Sequence, residues 1–198
     1  MLMAVTLPVV LQNEAQHINA LFAAGLQRLH LRKPDEPESA ITALMEGVDA
    51  QYYHRIAWHQ QHHLAIRFGS KRLHFPEWMR QRYTPQVWRL LQAEHCLLST
   101  SIHAETGLPD CFSYAFAGPV FDSISKPGYK ASSWPDSMFE DGTRVAIGGI
   151  SAANCTQLRV RGVQSIAVSG AIWQSKCPVN AFHQINQVWH TTGPSSSV

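Results

Sequence analysis

Arg144-Val145-Ala146-Ile147-Gly148-Gly149-Ile150 reads as a short β-strand that runs into a glycine turn, with Ser151 and a helix start near Ala152 behind it. Gly148 and Gly149 let backbone N–H groups come close to an anion, and a helix N-terminus favours negative charge. Further on, Ala167-Val168-Ser169-Gly170-Ala171-Ile172 repeats the pattern, an apolar strand ending in a small-residue turn. Paired turns after the last two strands form the usual phosphate site of a (β/α)8 barrel. Glycines at such places also serve tight turning alone, so the pattern states the architecture more firmly than the ligand.

The rest of the chain fits that architecture when read outward from this stretch. Short β-rich runs alternate with helical patterns, the signature of βα units and a parallel sheet. Eight runs are expected to be strands: Met3–Pro8, Arg28–Arg32, Arg55–His59, Arg72–Phe75, Cys96–Ile102, Phe112–Phe116, Arg144–Ile147 and Ser165–Ser169. Eight strands at this close spacing predict one closed α/β barrel over residues 1–190. Ile18, Leu21 and Phe22 lie at helical spacing within Glu14–Gly25, and Phe182, Ile185 and Trp189 form a stripe within Asn180–His190. Between the fifth and sixth runs, Gly107 and Pro109 leave room for barely one turn, so the fifth helix is expected to be truncated. The tail, residues 191–198, is Gly, Pro and Ser with little to bury, and is expected to be disordered.

Composition narrows the class of function. With 198 residues, 45% hydrophobic and 15% charged, the chain can bury one substantial core. A net charge of +2 gives no field that would draw nucleic acid or a membrane surface, so a small molecule is the expected partner. No apolar stretch approaches the roughly 20 residues of a spanning helix. Cys96, Cys111, Cys155 and Cys177 form no CxxC pair, and the N-terminus has no signal-peptide pattern, so reduced thiols in a cytoplasmic protein are expected. Monomer and homodimer both stay open.

In a barrel, the strand C-termini and the loops that follow them build the site. The loop Gly118–Lys130, GPVFDSISKPGYK, offers Ser123, Ser125 and Lys126 as phosphate donors, although a solvated loop would carry the same residues. Arg32 ends the second run with a planar fork suited to carboxylate or phosphate, while the neighbouring Lys33 reads as a solvated surface charge. His30, His59, His74 and His103 fall near the ends of four successive runs, and one of them is expected to act as acid or base at the barrel mouth. No HxH or HExxH spacing accompanies them, so no metal site is expected.

Taken together, LHLRKP, STSIH, GPVFDSISKPG, VAIGGI and AVSGAI, in this order and at matching separations, resemble the thiamine phosphate synthase and TenI superfamily over most of the chain. The resemblance implies a barrel that handles thiazole phosphate or thiamine phosphate. Ser123, Ser125 and Lys126, with the backbone at Gly148, Gly149, Ser169 and Gly170, would hold phosphate. Arg32 and Ser101 match substrate-side positions, and His103 matches the acid-base position of TenI-like thiazole tautomerases.

The departures point to one branch of that family. A synthase holds its leaving pyrophosphate through Mg²⁺ on an Asn-Asp pair and a later Asp. Here those positions fall on His59, Gln60 and Met79, the pyrimidine-side Gln becomes His30, and the pyrophosphate-side Lys becomes Pro34. Glu77 could replace the later Asp only with a shifted alignment. The resemblance therefore implies a tautomerase that needs no cofactor, with His103 as its acid-base group. The alternatives are a divergent synthase, which would need Mg²⁺, and a regulator that binds a phosphate ligand without turnover.

Overall fold

A computed structural model describes residues 1–103, 107–122, 128 and 130–191. The strands are β1 (Leu2–Val5), β2 (Arg28–Leu31), β3 (Ile56–Trp58), β4 (Arg72–Phe75), β5 (Leu97–Ile102), β6 (Tyr114–Ala117), β7 (Arg144–Ile147) and β8 (Ile166–Val168). All pair in parallel, each with the next, and β8 closes on β1, giving one eight-stranded barrel. The helices are α1 (Glu14–Ala23), α2 (Glu38–Glu46), α3 (His62–Arg67), α4 (Glu77–Arg80), α5 (Pro85–Ala93), α6 (Cys155–Val160), α7 (Gly170–Trp173) and α8 (Pro178–Thr191). Single 3-10 turns precede β3 and β7. Residues 107–113, between β5 and β6, hold no helix.

The alternation of side chains along each strand sorts the core into two shells. Leu29, Leu31, Ile56, Trp58, Leu73, Phe75 and Leu98 face outward and pack with the helix stripes, including Ile18, Leu21, Phe22, Phe182, Ile185 and Trp189. The intervening residues point to the barrel axis, where Met3, Val5, Tyr114, Phe116, Val145 and Ala167 form a second, smaller cluster. The rest of the axis is polar: His30, His74 and Ser99 are 0%, 0% and 1% exposed.

Lys33 corrects an expectation. It is not a solvated charge but a buried one, 2.8 Å from the Glu14 carboxylate. Its ammonium group also donates to the carbonyls of Leu7 and Val9, at 2.9 and 2.6 Å. Glu14 in turn accepts from the Leu11 N–H, so one ion pair fixes the whole β1–α1 loop. A buried charge survives only with such full pairing. The sequence separates the partners by 19 positions, and only the fold brings them together.

Candidate functional site

At the C-terminal end of the barrel lies a cavity of about 1000 Å³. Its walls include Thr6 to Val9, Arg32, Asp35, His59, Gln60, Glu77, Trp78, Ser101, His103, Gly148 to Ile150, Ser169 and Gly170. Most of the residues singled out from the sequence thus meet at one opening. Ser123, Ser125 and Lys126 lie outside the described residues.

On the β7–β8 side the wall is backbone. Gly148 and Gly149 have φ of +103° and +65°, and a Cβ on either would fall 2.5 Å from Pro119 or 2.2 Å from the Asp122 carbonyl. Packing against the loop after β6 therefore already demands glycine at both. Asn154, which the sequence reading passed over, clasps the turn: it donates to the Gly149 carbonyl and accepts from the Ser151 N–H, both at 2.8 Å. Among the described residues, the N–H groups of Gly149, Ile150 and Gly170 find no acceptor, and all three residues border the cavity. Such a row of free donors suits an anion.

Arg32 reaches the same cavity from β2, and its side chain makes no hydrogen bond to a described residue. Burial lowers its pKa, which the nearby Asp35 carboxylate opposes. Thr6 holds the end of β2 in place by accepting from the Arg32 N–H at 2.9 Å and donating to its carbonyl.

Across the ring, past β4 and β5, the wall is made of side chains. His103 Nδ1 is 2.6 Å from Glu77 Oε2, and Arg80 approaches the other carboxylate oxygen at 3.6 Å. Glu77 belongs to α4, a single turn that brings Trp78 to the cavity as well. The four histidines do not converge at one level. His103 stands at the rim with 57% of its side chain exposed, His59 borders the cavity at its floor, and His30 and His74 lie buried beneath it.

Residues 2–172 match the family model described as thiamine monophosphate synthase. The chain belongs to that family. A thiamine-phosphate synthase of Latilactobacillus sakei is 36% identical over 84 residues, 40% of this chain and 38% of that relative, so the match spans well under half of it. The thiamine phosphate pyrophosphorylase structure from Bacteroides thetaiotaomicron superposes with a TM-score of 0.71 at 22% identity, covering 94% of this chain and 96% of the other. That from Pyrococcus furiosus gives 0.73 at 16% identity, covering 95% and 94%. A 3-hexulose-6-phosphate synthase, at 0.62 and 14% with 95% and 99% covered, shares the barrel as well. At these identities the structural likeness speaks for the fold.

The magnesium site implied by the thiamine monophosphate synthase family can be tested against the donors present. Mg²⁺ takes oxygen ligands in a tight octahedron. The ends of β3 and β4 supply a histidine nitrogen (His59), one amide side chain (Gln60) and Glu77, whose carboxylate His103 and Arg80 already engage. Met79 packs against the core. Among the described residues, no carboxylates gather into a three-ligand group. With Asp35 as the other described carboxylate that borders the cavity, this set is a poor fit for a magnesium ion.

Within the described residues, no helix is long and apolar enough to cross a membrane.

Proposed function

We propose that this chain is a thiazole tautomerase, binding a thiazole carboxylate phosphate in the barrel cavity and aromatising it by moving a proton between ring positions. The observation that carries this reading is the His103–Glu77 pair, 2.6 Å apart at the rim across from the unpartnered glycine-turn N–H groups. Phosphate would sit on the N–H groups of Gly149, Ile150 and Gly170, and Arg32 would take the carboxylate through charge-assisted hydrogen bonds. A carboxylate on His103 Nδ1 fixes the N–H there and leaves Nε2 free as the base. The same carboxylate stabilises the imidazolium that forms when Nε2 accepts the proton.

Turnover of the thiazole carboxylate phosphate, followed without added Mg²⁺, tests the reading. His103→Ala is expected to lose about 10²–10⁴-fold in kcat. Full turnover in that variant removes the proposed base.

A second reading, the synthase, is supported by the relative that carries that name over the aligned 84 residues. Mg²⁺-dependent release of pyrophosphate from a pyrimidine pyrophosphate and thiazole phosphate would replace the tautomerase with it. Binding of thiazole phosphate in a calorimeter with neither turnover would leave a non-catalytic binder.

A further inference from the structure

Beneath the cavity, the barrel axis carries a network of side chains from five strands. His30 Nδ1 is 3.0 Å from His59 Nε2, and His30 Nε2 is 2.7 Å from the Tyr114 hydroxyl. His74 lies between two serines, Nδ1 at 3.0 Å from Ser99 and Nε2 at 3.0 Å from Ser101. Five of the six ring nitrogens thus have a partner. The sixth, His59 Nδ1, has none among the described residues and is not sealed in, since His59 borders the cavity.

Three buried imidazoles whose donor atoms lie within 4.8 Å of one another invite comparison with a zinc triad. The ring geometry argues otherwise. His59 and His74 stack at 3.9 Å with planes 24° apart, so their in-plane lone pairs run side by side and do not meet at a point. Both His74 nitrogens are committed to serines. Among the described residues, the charged neighbours that act on the three rings are Arg28, Arg32 and Arg72, with His62 as a further basic group and no carboxylate. A dication there would have three neutral ligands inside a cationic shell. Uncharged rings suit the same shell, and burial keeps them so: it holds His30 and His59 well below the usual histidine range and brings His74 to about 3.

We propose that Tyr114, His30 and His59 form a proton relay, uncharged at rest, whose outer end, His59 Nδ1, is a second acid-base group of the cavity. The proposal rests on the tautomerase reading for the chemistry it serves, because aromatisation removes a proton at one ring position and delivers another elsewhere. A phenol donates better than it accepts, so the Tyr114 O–H points to His30 Nε2. His30 then carries its proton on Nδ1 and donates to His59 Nε2, which leaves an N–H at His59 Nδ1 facing the cavity.

In the reaction, His103 takes the substrate proton and His59 Nδ1 gives its own to the second ring position. The His30 Nδ1 proton moves to His59 Nε2, and the Tyr114 proton moves to His30 Nε2. Burial opposes the phenolate left behind, and Arg28, whose guanidinium lies 5.3 Å over the ring, lowers that cost; its buried Nε finds no hydrogen-bond partner among the described residues. His103 releases its proton to solvent, solvent returns one to His59 Nδ1 through the cavity, and the His59 Nε2 and His30 Nε2 protons shift back to His30 Nδ1 and the Tyr114 oxygen, so the cycle balances. His59 is the acid-base group here, while His30 and Tyr114 are positioning residues.

Nitrogen-15 NMR of the full ligand-free chain tests the relay apart from any activity. Neutral Nδ1–H forms of His30 and His59 are expected at pH 6, with both moving to Nε2–H in Tyr114→Phe. An imidazolium or an Nε2–H form of His59 in the parent protein overturns the relay, as does stoichiometric Co²⁺ binding with the visible spectrum of a three-histidine site. In turnover, His59→Gln is expected to lower kcat by about 10²-fold and Tyr114→Phe by about 10-fold, with KM little changed. Folding of both variants is checked by their NMR spectra. Parent-like turnover in both overturns the relay. Expected tautomers without any tautomerase activity leave the relay standing and remove the tautomerase reading.

Discussion

Seen down the axis, the barrel has two unlike halves. β6, β7, β8 and β1 line it with Phe116, Val145, Ile147, Ala167, Met3 and Val5, with the Tyr114 hydroxyl as the polar exception, while β2 to β5 line it with His30, His59, His74, Ser99 and Ser101. The apolar half supports a wall of bare backbone, where the free N–H groups of Gly149, Ile150 and Gly170 face the cavity. Its donors are set by chain geometry and carry no titratable group. The polar half does its work with side chains, and each buried polar atom there must find a partner. The first half is sensitive to volume, and the second to protons.

The largest expected effect separates the halves by pH. The folded state holds His30, His59 and His74 below their unfolded values, so the unfolded chain binds more protons in mild acid. Their contribution is fully present above pH 6.5 and is lost as pH falls from there towards the folded values. Between pH 7 and 5, His74, brought to about 3, alone removes roughly 2 kcal/mol, and His30 and His59 add losses of the same sign. Urea unfolding at both pH values measures this. An unchanged stability would mean that the interior histidines titrate normally, and the contrast would fail.

Next in size is the ion pair at the seam between the halves. Lys33→Met leaves Glu14 buried without its partner and is expected to cost about 3–5 kcal/mol. Urea unfolding at neutral pH reads that loss. Replacing both residues by apolar ones of similar volume should recover most of it, because the larger part of the penalty is an uncompensated charge.

The smallest of the three effects sharpens the backbone side. Gly149→Ala places a methyl against the Asp122 carbonyl at a φ of +65°, and an expected loss of about 2–3 kcal/mol follows from strain and overlap together. Unlike the histidine effect, it should be the same at pH 7 and 5. A pH-dependent loss would show that the halves are coupled.

How much of this could be read from the chain follows the same division. The strands were legible because their apolar runs are short and regularly spaced. Arg72–Phe75 and Arg144–Ile147 match at both ends, and the other six differ by a few terminal residues. The glycine turns were legible because glycine is the residue those backbone angles require. The histidines were legible as a group near successive strand ends, but not their depth. Position within a strand does not fix height along the axis when the strands of a barrel are staggered. Hence His30 and His74 lie beneath the cavity and His103 at its rim. The Lys33–Glu14 pair and the His103–Glu77 pair join residues 19 and 26 positions apart, with no local pattern to announce them. Tyr114 was passed over because a tyrosine in an apolar strand reads as ordinary core until a histidine is found against its hydroxyl.

The grip of Lys33 on the Leu7 and Val9 carbonyls bears on how the entrance selects its guests. With residues 7 to 9 tethered to a charge that cannot leave its own partner, that stretch of rim keeps one outline whether or not a guest is present. A rim held in this way presents its outline in advance, so any guest that enters past it would have to match that shape as it stands.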